Sequence, residues 1–204
     1  MDDLLRKKLS SCRITLCRKR YLKDRMRYCW IIIGMMLLMA CPATPANAVG
    51  VEAKVKSAYL YNLLRRTSWP EGSFKTDDSP YIVGVLGDDN LEGLLEKIAS
   101  RKKVNKRSIQ LEKFKTIKDY KPCHMLYVPG YRSPEQQKEI LKATKGTHCL
   151  VVGDSPGFAL AGATANFDYR DDGTIGMELN LAQAKKHKLK FDRQLIEVSQ
   201  PVGE

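Results

Sequence analysis

The chain has 204 residues, with 35 Lys or Arg against 23 Asp or Glu and a formal net charge of +12. The excess is local: residues 1–48 hold ten of the basic and three of the acidic residues, which leaves 25 and 20, a net of +5, on residues 49–204. So modest a balance excludes a dedicated nucleic-acid binder and fits one mildly basic domain, long enough to bury a core.

Residues 30–41, from Trp30 to Cys41, are an apolar run of about a dozen residues, short of the roughly 20 that a spanning helix needs. Basic residues crowd its upstream side, and Pro42 and then Ala46-Asn47-Ala48 follow it. That order of charge, apolar run and small residues is a secretory signal peptide, with cleavage expected after Ala48. Residues 49–204 are then a domain outside the cytoplasm. Residues 1–29 are long for the charged segment, and Met26 offers a second start that makes it compact. Two alternatives stay open: a retained N-terminal membrane anchor, and lipidation of Cys41, because Leu38-Met39-Ala40-Cys41 resembles a lipobox.

The spacing predicts an amphipathic helix over 51–66, with Val51, Val55, Ala58, Tyr59, Asn62, Leu63 and Arg66 on one face and Lys54, Lys56 and Arg65 on others. Trp69-Pro70 ends it, and 71–80 is a polar turn. Residues 81–87 form a continuous apolar run, as in a strand buried on both faces. A helix is expected over 90–99, then strands over 107–114 and 123–128. Ser133-Pro134-Glu135 starts a helix to about 143, and 148–153 is a further buried strand. Asp171-Asp172-Gly173 joins 163–168 to 174–180 as a hairpin. A helix over 181–189 and a last segment over 191–200 complete the chain. Alternating strands and helices with short joins give an α/β fold: a mostly parallel, Rossmann-like three-layer sandwich with a C-terminal β-hairpin.

Four of the six cysteines lie in the leader; Cys123 and Cys149 remain, each opening a strand. In an oxidising compartment such a pair is a disulfide candidate, closing a loop of about 25 residues worth about 3 kcal/mol in the chain-entropy account. The alternative is two buried thiols acting as small apolar groups. His124 and His148 adjoin them, but neighbouring strand residues point to opposite faces, so the four do not converge and no metal site is expected. Asp88, Asp89, Asp154 and Ser155 follow the C-terminal ends of strands, where open parallel sheets bind ligands. They are a candidate edge for Mg²⁺ or a cationic ligand, or else helix caps. Lys185, Lys186, Lys188 and Lys190 suit a helix C-terminus, and His187 among them reads as a surface residue. No nucleophile elbow, phosphate loop or metalloprotease His pair is present, so neither an enzyme nor a cofactor is expected.

Four stretches resemble the YfiR-like family. They are Val55–Asn62 with Trp69-Pro70; Val83–Asp89; Cys123–Val128; and Gly153–Phe158 with Gly162, Asn166-Phe167, Met177–Asn180 and Ala184. Together they cover essentially all of 51–200. The resemblance implies a periplasmic α/β domain without known catalysis. The family's best-known member represses a membrane-bound diguanylate cyclase by docking on its periplasmic sensor region, dimerises, and responds to redox state; other relatives look like partners of sensor kinases. The partner implied here is an inner-membrane sensor protein, the domain itself being a homodimer. Cys123 matches a frequent strand cysteine of the family. Cys149 stands where many relatives have an aliphatic residue, so no family pairing carries over. The rival class is a periplasmic small-molecule binding module that reports to a transporter or kinase.

Overall fold

The computed structural model describes residues 46–203. The expected signal segment, the alternative start at Met26 and the lipidation site at Cys41 lie outside the described residues. Helix α1 spans Ala46–Arg66, so the expected cleavage point after Ala48 falls in its first turn. Its buried face is Ala53, Lys56, Ser57, Leu60, Leu63 and Leu64, rotated from the expected face. Val51 is exposed instead. Small residues at 53 and 57 let the helix approach the sheet, and Lys56 is admitted because carboxylates meet it there. Trp69-Pro70 ends the segment as expected, after a two-residue strand β1, Thr67–Ser68.

The main sheet has seven strands, in the order β3 (Ile109–Phe114), β2 (Tyr81–Leu86), β4 (Met125–Val128), β5 (Leu150–Gly153), β6 (Ala165–Tyr169), β7 (Ile175–Asn180) and β9 (Gln200–Val202). Strand β2 (Tyr81–Leu86) lies next to the β3 edge and is nearly all buried. It pairs in parallel with β3 (Ile109–Phe114) on one side and β4 (Met125–Val128) on the other. Strand β5 (Leu150–Gly153) lies parallel to β4, and β6 (Ala165–Tyr169) parallel to β5. Strand β7 (Ile175–Asn180) returns antiparallel to β6. Thr174 N–H and Oγ1 both donate to Asp172 Oδ1 in the turn, and Gly173 takes φ +79 there. This is the hairpin that Asp171-Asp172-Gly173 signals.

Helix α2 (Leu94–Arg101) begins four residues later than the apolar spacing predicts. Asp89 Oδ1 accepts from Leu91 N–H in a local turn, and Glu92 and Gly93 take positive φ before the helix starts. Helix α3 (Pro134–Thr144) opens on a capping box: Ser133 Oγ accepts from Gln136 N–H and Gln136 Oε1 accepts from Ser133 N–H. A short helix α4 (Phe158–Ala161) follows β5, and α5 (Leu181–Lys186) follows β7 on its Asn180 cap. Lys188 at φ +59 stops α5 short of 189. The last segment divides into β8 (Lys190–Phe191), which pairs with β1, then α6 (Arg193–Glu197) and β9 (Gln200–Val202), which pairs with β7.

Two apolar clusters make the core, one on each face of the sheet. Leu60, Leu63 and Leu64 of α1 and Leu95 of α2 pack with Val83, Met125, Val152 and Leu179. Ile140 of α3 and Phe158 of α4 pack with Leu126, Val128 and Val151 on the opposite face. Alternation along each strand feeds both clusters, giving the expected mostly parallel three-layer sandwich.

Candidate functional site

Cys123-His124 and His148-Cys149 sit immediately before β4 and β5, at the N-terminal edge of the parallel strands. Both sulfurs lie on the α3 face, where they pack with Leu126, Val151 and Phe158. Cys149 arrives there in step with Val151, whereas Cys123 is out of step with Met125 and Tyr127, because the chain bends at His124 before β4 begins. The Sγ atoms lie 3.7 Å apart as free, buried thiols. Burial, and then Cys123 beside it, pushes the Cys149 thiol well above its ordinary range. The same surroundings raise the Tyr120 hydroxyl, burial first and the two thiols after it.

His124 lies across the sheet from the thiols. Its ring stacks on Phe74 with centroids 4.4 Å apart, and the edges of Trp69 and Tyr81 meet it. Nδ1 accepts from Ile82 N–H at 2.9 Å, which leaves the proton on Nε2 to donate to the Ser73 carbonyl at 3.1 Å. Burial, and more weakly Arg107, lowers its pKa below 6.5. The imidazole is therefore a neutral bracket between β2 and the 71–80 turn. His148 Nδ1 lies 3.1 Å from the His187 carbonyl, and His187 Nδ1 lies 2.8 Å from the Thr147 carbonyl. His187 is buried, against the expectation of a surface residue; its ring joins the end of α5 to the loop before β5. The two cysteines meet and the histidines do not join them. Among the described residues no group of three His, Cys, Asp or Glu side chains could hold a metal.

The C-terminal edge of the strands is built around Asp154. Its Oδ2 accepts from Lys56 Nζ at 2.7 Å and from Gly130 N–H at 3.3 Å, and its Oδ1 accepts from Tyr169 Oη at 2.8 Å. Lys56 Nζ is fully buried, also pairs with Glu52 at 2.6 Å, and lies over the rings of Phe167 and Tyr169. Burial, then the hydrogen bond to Asp154, raises the Tyr169 hydroxyl. Ser155 Oγ donates to the Gly130 carbonyl and accepts from Arg132 N–H, splicing the loop after β4 to the loop after β5. Asp89 is occupied by Leu91 N–H and Lys113 Nζ. Asp88 is exposed. The four expected edge residues thus do separate things: Asp154 neutralises a buried lysine, Ser155 ties two loops, Asp89 makes a turn, and Asp88 faces solvent. Lys56, which the sequence reading placed on another face of α1, is the residue that organises this edge. Its spacing from Ala53, Leu60 and Leu63 was the available signal.

The sequence profile of the YfiR/HmsC-like family, DUF4154, matches residues 53–200. The chain belongs to the YfiR/HmsC-like family. No curated protein matches it. Among solved structures it resembles the ABC domain in complex with L-Trp from Streptococcus pneumonia, at 9% identity and a TM-score of 0.44, over 59% of this chain and 55% of that one. A conserved domain protein from Vibrio cholerae is similar at 10% identity and a TM-score of 0.44, over 60% and 55%. The chain thus spans about half the length of the structures it resembles.

Proposed function

We propose that this YfiR/HmsC-like chain is a periplasmic regulator of cyclic-di-GMP signalling that docks on an inner-membrane signalling protein, a diguanylate cyclase or a sensor kinase. The family match over 53–200 carries the reading; its domain supplies regulation rather than catalysis. The polar groups described above fit that role. The histidine rings and Asp154 each hydrogen-bond to a neighbouring part of the fold, joining turns, loops and α1 to the sheet. The domain acts as a homodimer with two arrangements that expose or hide its docking face. The adjacent thiols of Cys123 and Cys149 are the trigger: a thiol oxidant, such as an exchanging disulfide that is itself reduced to two thiols, takes up their two protons and two electrons, and the bond formed shortens a 3.7 Å gap in the core to about 2.05 Å.

Cellular cyclic-di-GMP tests this reading. Deleting the gene is expected to change the level, restoring the chain to reverse the change, and removing the membrane cyclase as well to abolish it. A level that deletion leaves unaltered in both oxidising and reducing growth contradicts the proposal.

A further inference from the structure

The parallel sheet changes its direction of growth between β2 and β4. Strand β3 lies on one side of β2 and β4 on the other, and the helices after β2 and β4 cover opposite faces. Loops that part in this way leave a crevice outside the carboxyl ends of the strands, where α/β proteins bind ligands. The crevice here is a cavity of about 310 Å³, at the small end of ligand sites. Leu86, Ile117 and Ile140 form its apolar floor, and Lys115, Lys118 and Arg132 stand around it with one carboxylate, Glu139.

Arg132 is fixed by the backbone. Its guanidinium donates to the Leu86 carbonyl and to the Tyr131 carbonyl, each at 3.1 Å. It rests against Gly87, where an added Cβ would stand 3.2 Å from Nη2 and where φ is +84. Two of its five N–H groups are used in this way, leaving three. Among the described residues Lys115, Lys118 and Arg132 have no carboxylate partner within ion-pair distance. The carboxylates expected to make this edge a cation site are engaged elsewhere, apart from the exposed Asp88. The edge therefore offers an opening of the opposite charge.

We propose that this crevice binds a small organic anion, with its carboxylate or phosphate against Arg132, Lys115 and Lys118 and a compact apolar body on Leu86, Ile117 and Ile140. Exposed lysines alone would be a solvated face. An arginine held in place beside an apolar floor, of which Leu86 and Ile140 are buried and Ile117 half-buried, supplies both the fork that such an anion fits and the apolar surface that its body covers. The inference rests on this geometry and not on the regulatory reading.

The test titrates the full chain with benzoate, phenyl phosphate and benzyl alcohol, by calorimetry and by thermal unfolding. At least one of the two anions is expected to bind saturably and raise Tm, and the uncharged alcohol is not. The benzoate and phenyl phosphate arms distinguish a carboxylate from a phosphate ligand. Arg132→Gln is expected to weaken binding by about tenfold or more. Lys118→Gln, an exposed change that leaves the unliganded Tm unaltered, is expected to weaken it severalfold, and Lys54→Gln on α1 to leave it unchanged. Lys118→Gln decides the matter if Arg132→Gln does not fold. Absence of saturable binding by both anions overturns the proposal. So does equal binding of benzyl alcohol, or an equal loss of affinity in Lys118→Gln and Lys54→Gln.

Discussion

Lys56 is the residue whose removal should be felt most. It is fully buried, and Asp154, whose side chain is 2% exposed, depends on it. Breaking a buried pair strands the remaining charge, at a cost of about 3–5 kcal/mol. Lys56→Met is expected to destabilise by that amount in denaturant titration. Adding Asp154→Asn should return part of the loss, because the stranded charge goes with it; additive losses would show that the pair is not coupled. His124 makes a pH prediction. Burial lowers its pKa, so the unfolded chain takes up the proton first as pH falls. Its contribution is complete above the unfolded value of about 6.5 and is lost as pH drops from there through the lower folded value. His124→Gln should be less stable than the wild type at pH 7.5 and show a shallower loss between pH 7 and 5. Parallel pH curves would remove His124 as the cause. Cys149, fully buried with its thiol pushed up, should resist iodoacetamide in the folded reduced protein, whereas a mild oxidant should join it to Cys123. Mass spectrometry of the tryptic peptides reads both outcomes.

Among the elements, the junction of β5 and α4 is the tightest. A Cβ on Gly153 would overlap the Phe158 ring and press on Asn166 Oδ1. Gly153→Ala is expected to cost about 1–3 kcal/mol, as overpacking does, and Phe158→Leu in the same chain should recover part of it. A neutral Gly153→Ala would mean that β5 and α4 can separate at little cost. The elements were legible in the sequence where a local signal decided them. The apolar run of β2, the Ser133-Pro134 start of α3 and the Asp171-Asp172-Gly173 turn all formed where expected. Departures arose where distant partners decided. The face of α1 turned because Asp154, 98 residues away, receives Lys56. The start of α2 moved because Asp89 holds a turn that apolar spacing does not reveal. The end of the chain divided into two strands and a helix because β1 and β7 were there to pair with it. The candidate site was legible to the same degree. The cysteines were legible as a pair because each opens one of two strands, but their meeting depends on the bend at His124 that carries Cys123 to the face of Cys149, and the separate roles of Asp89 and Asp154 depended on tertiary neighbours.

At the scale of the whole molecule, β3 and β9 are the two edges of the sheet. They bound a sandwich in which His124, His187 and Asp154 are engaged by other parts of the fold. The proposed docking at the inner membrane is the claim on which the account depends. Crosslinking of the full, tagged chain in living cells, followed by recovery from membranes with and without reductant, tests it most directly. Capture of an inner-membrane diguanylate cyclase or sensor kinase through its periplasmic segment is expected, with a yield that changes with reductant and with Cys149→Ala. Recovery of the chain without an inner-membrane signalling protein in both conditions would contradict it.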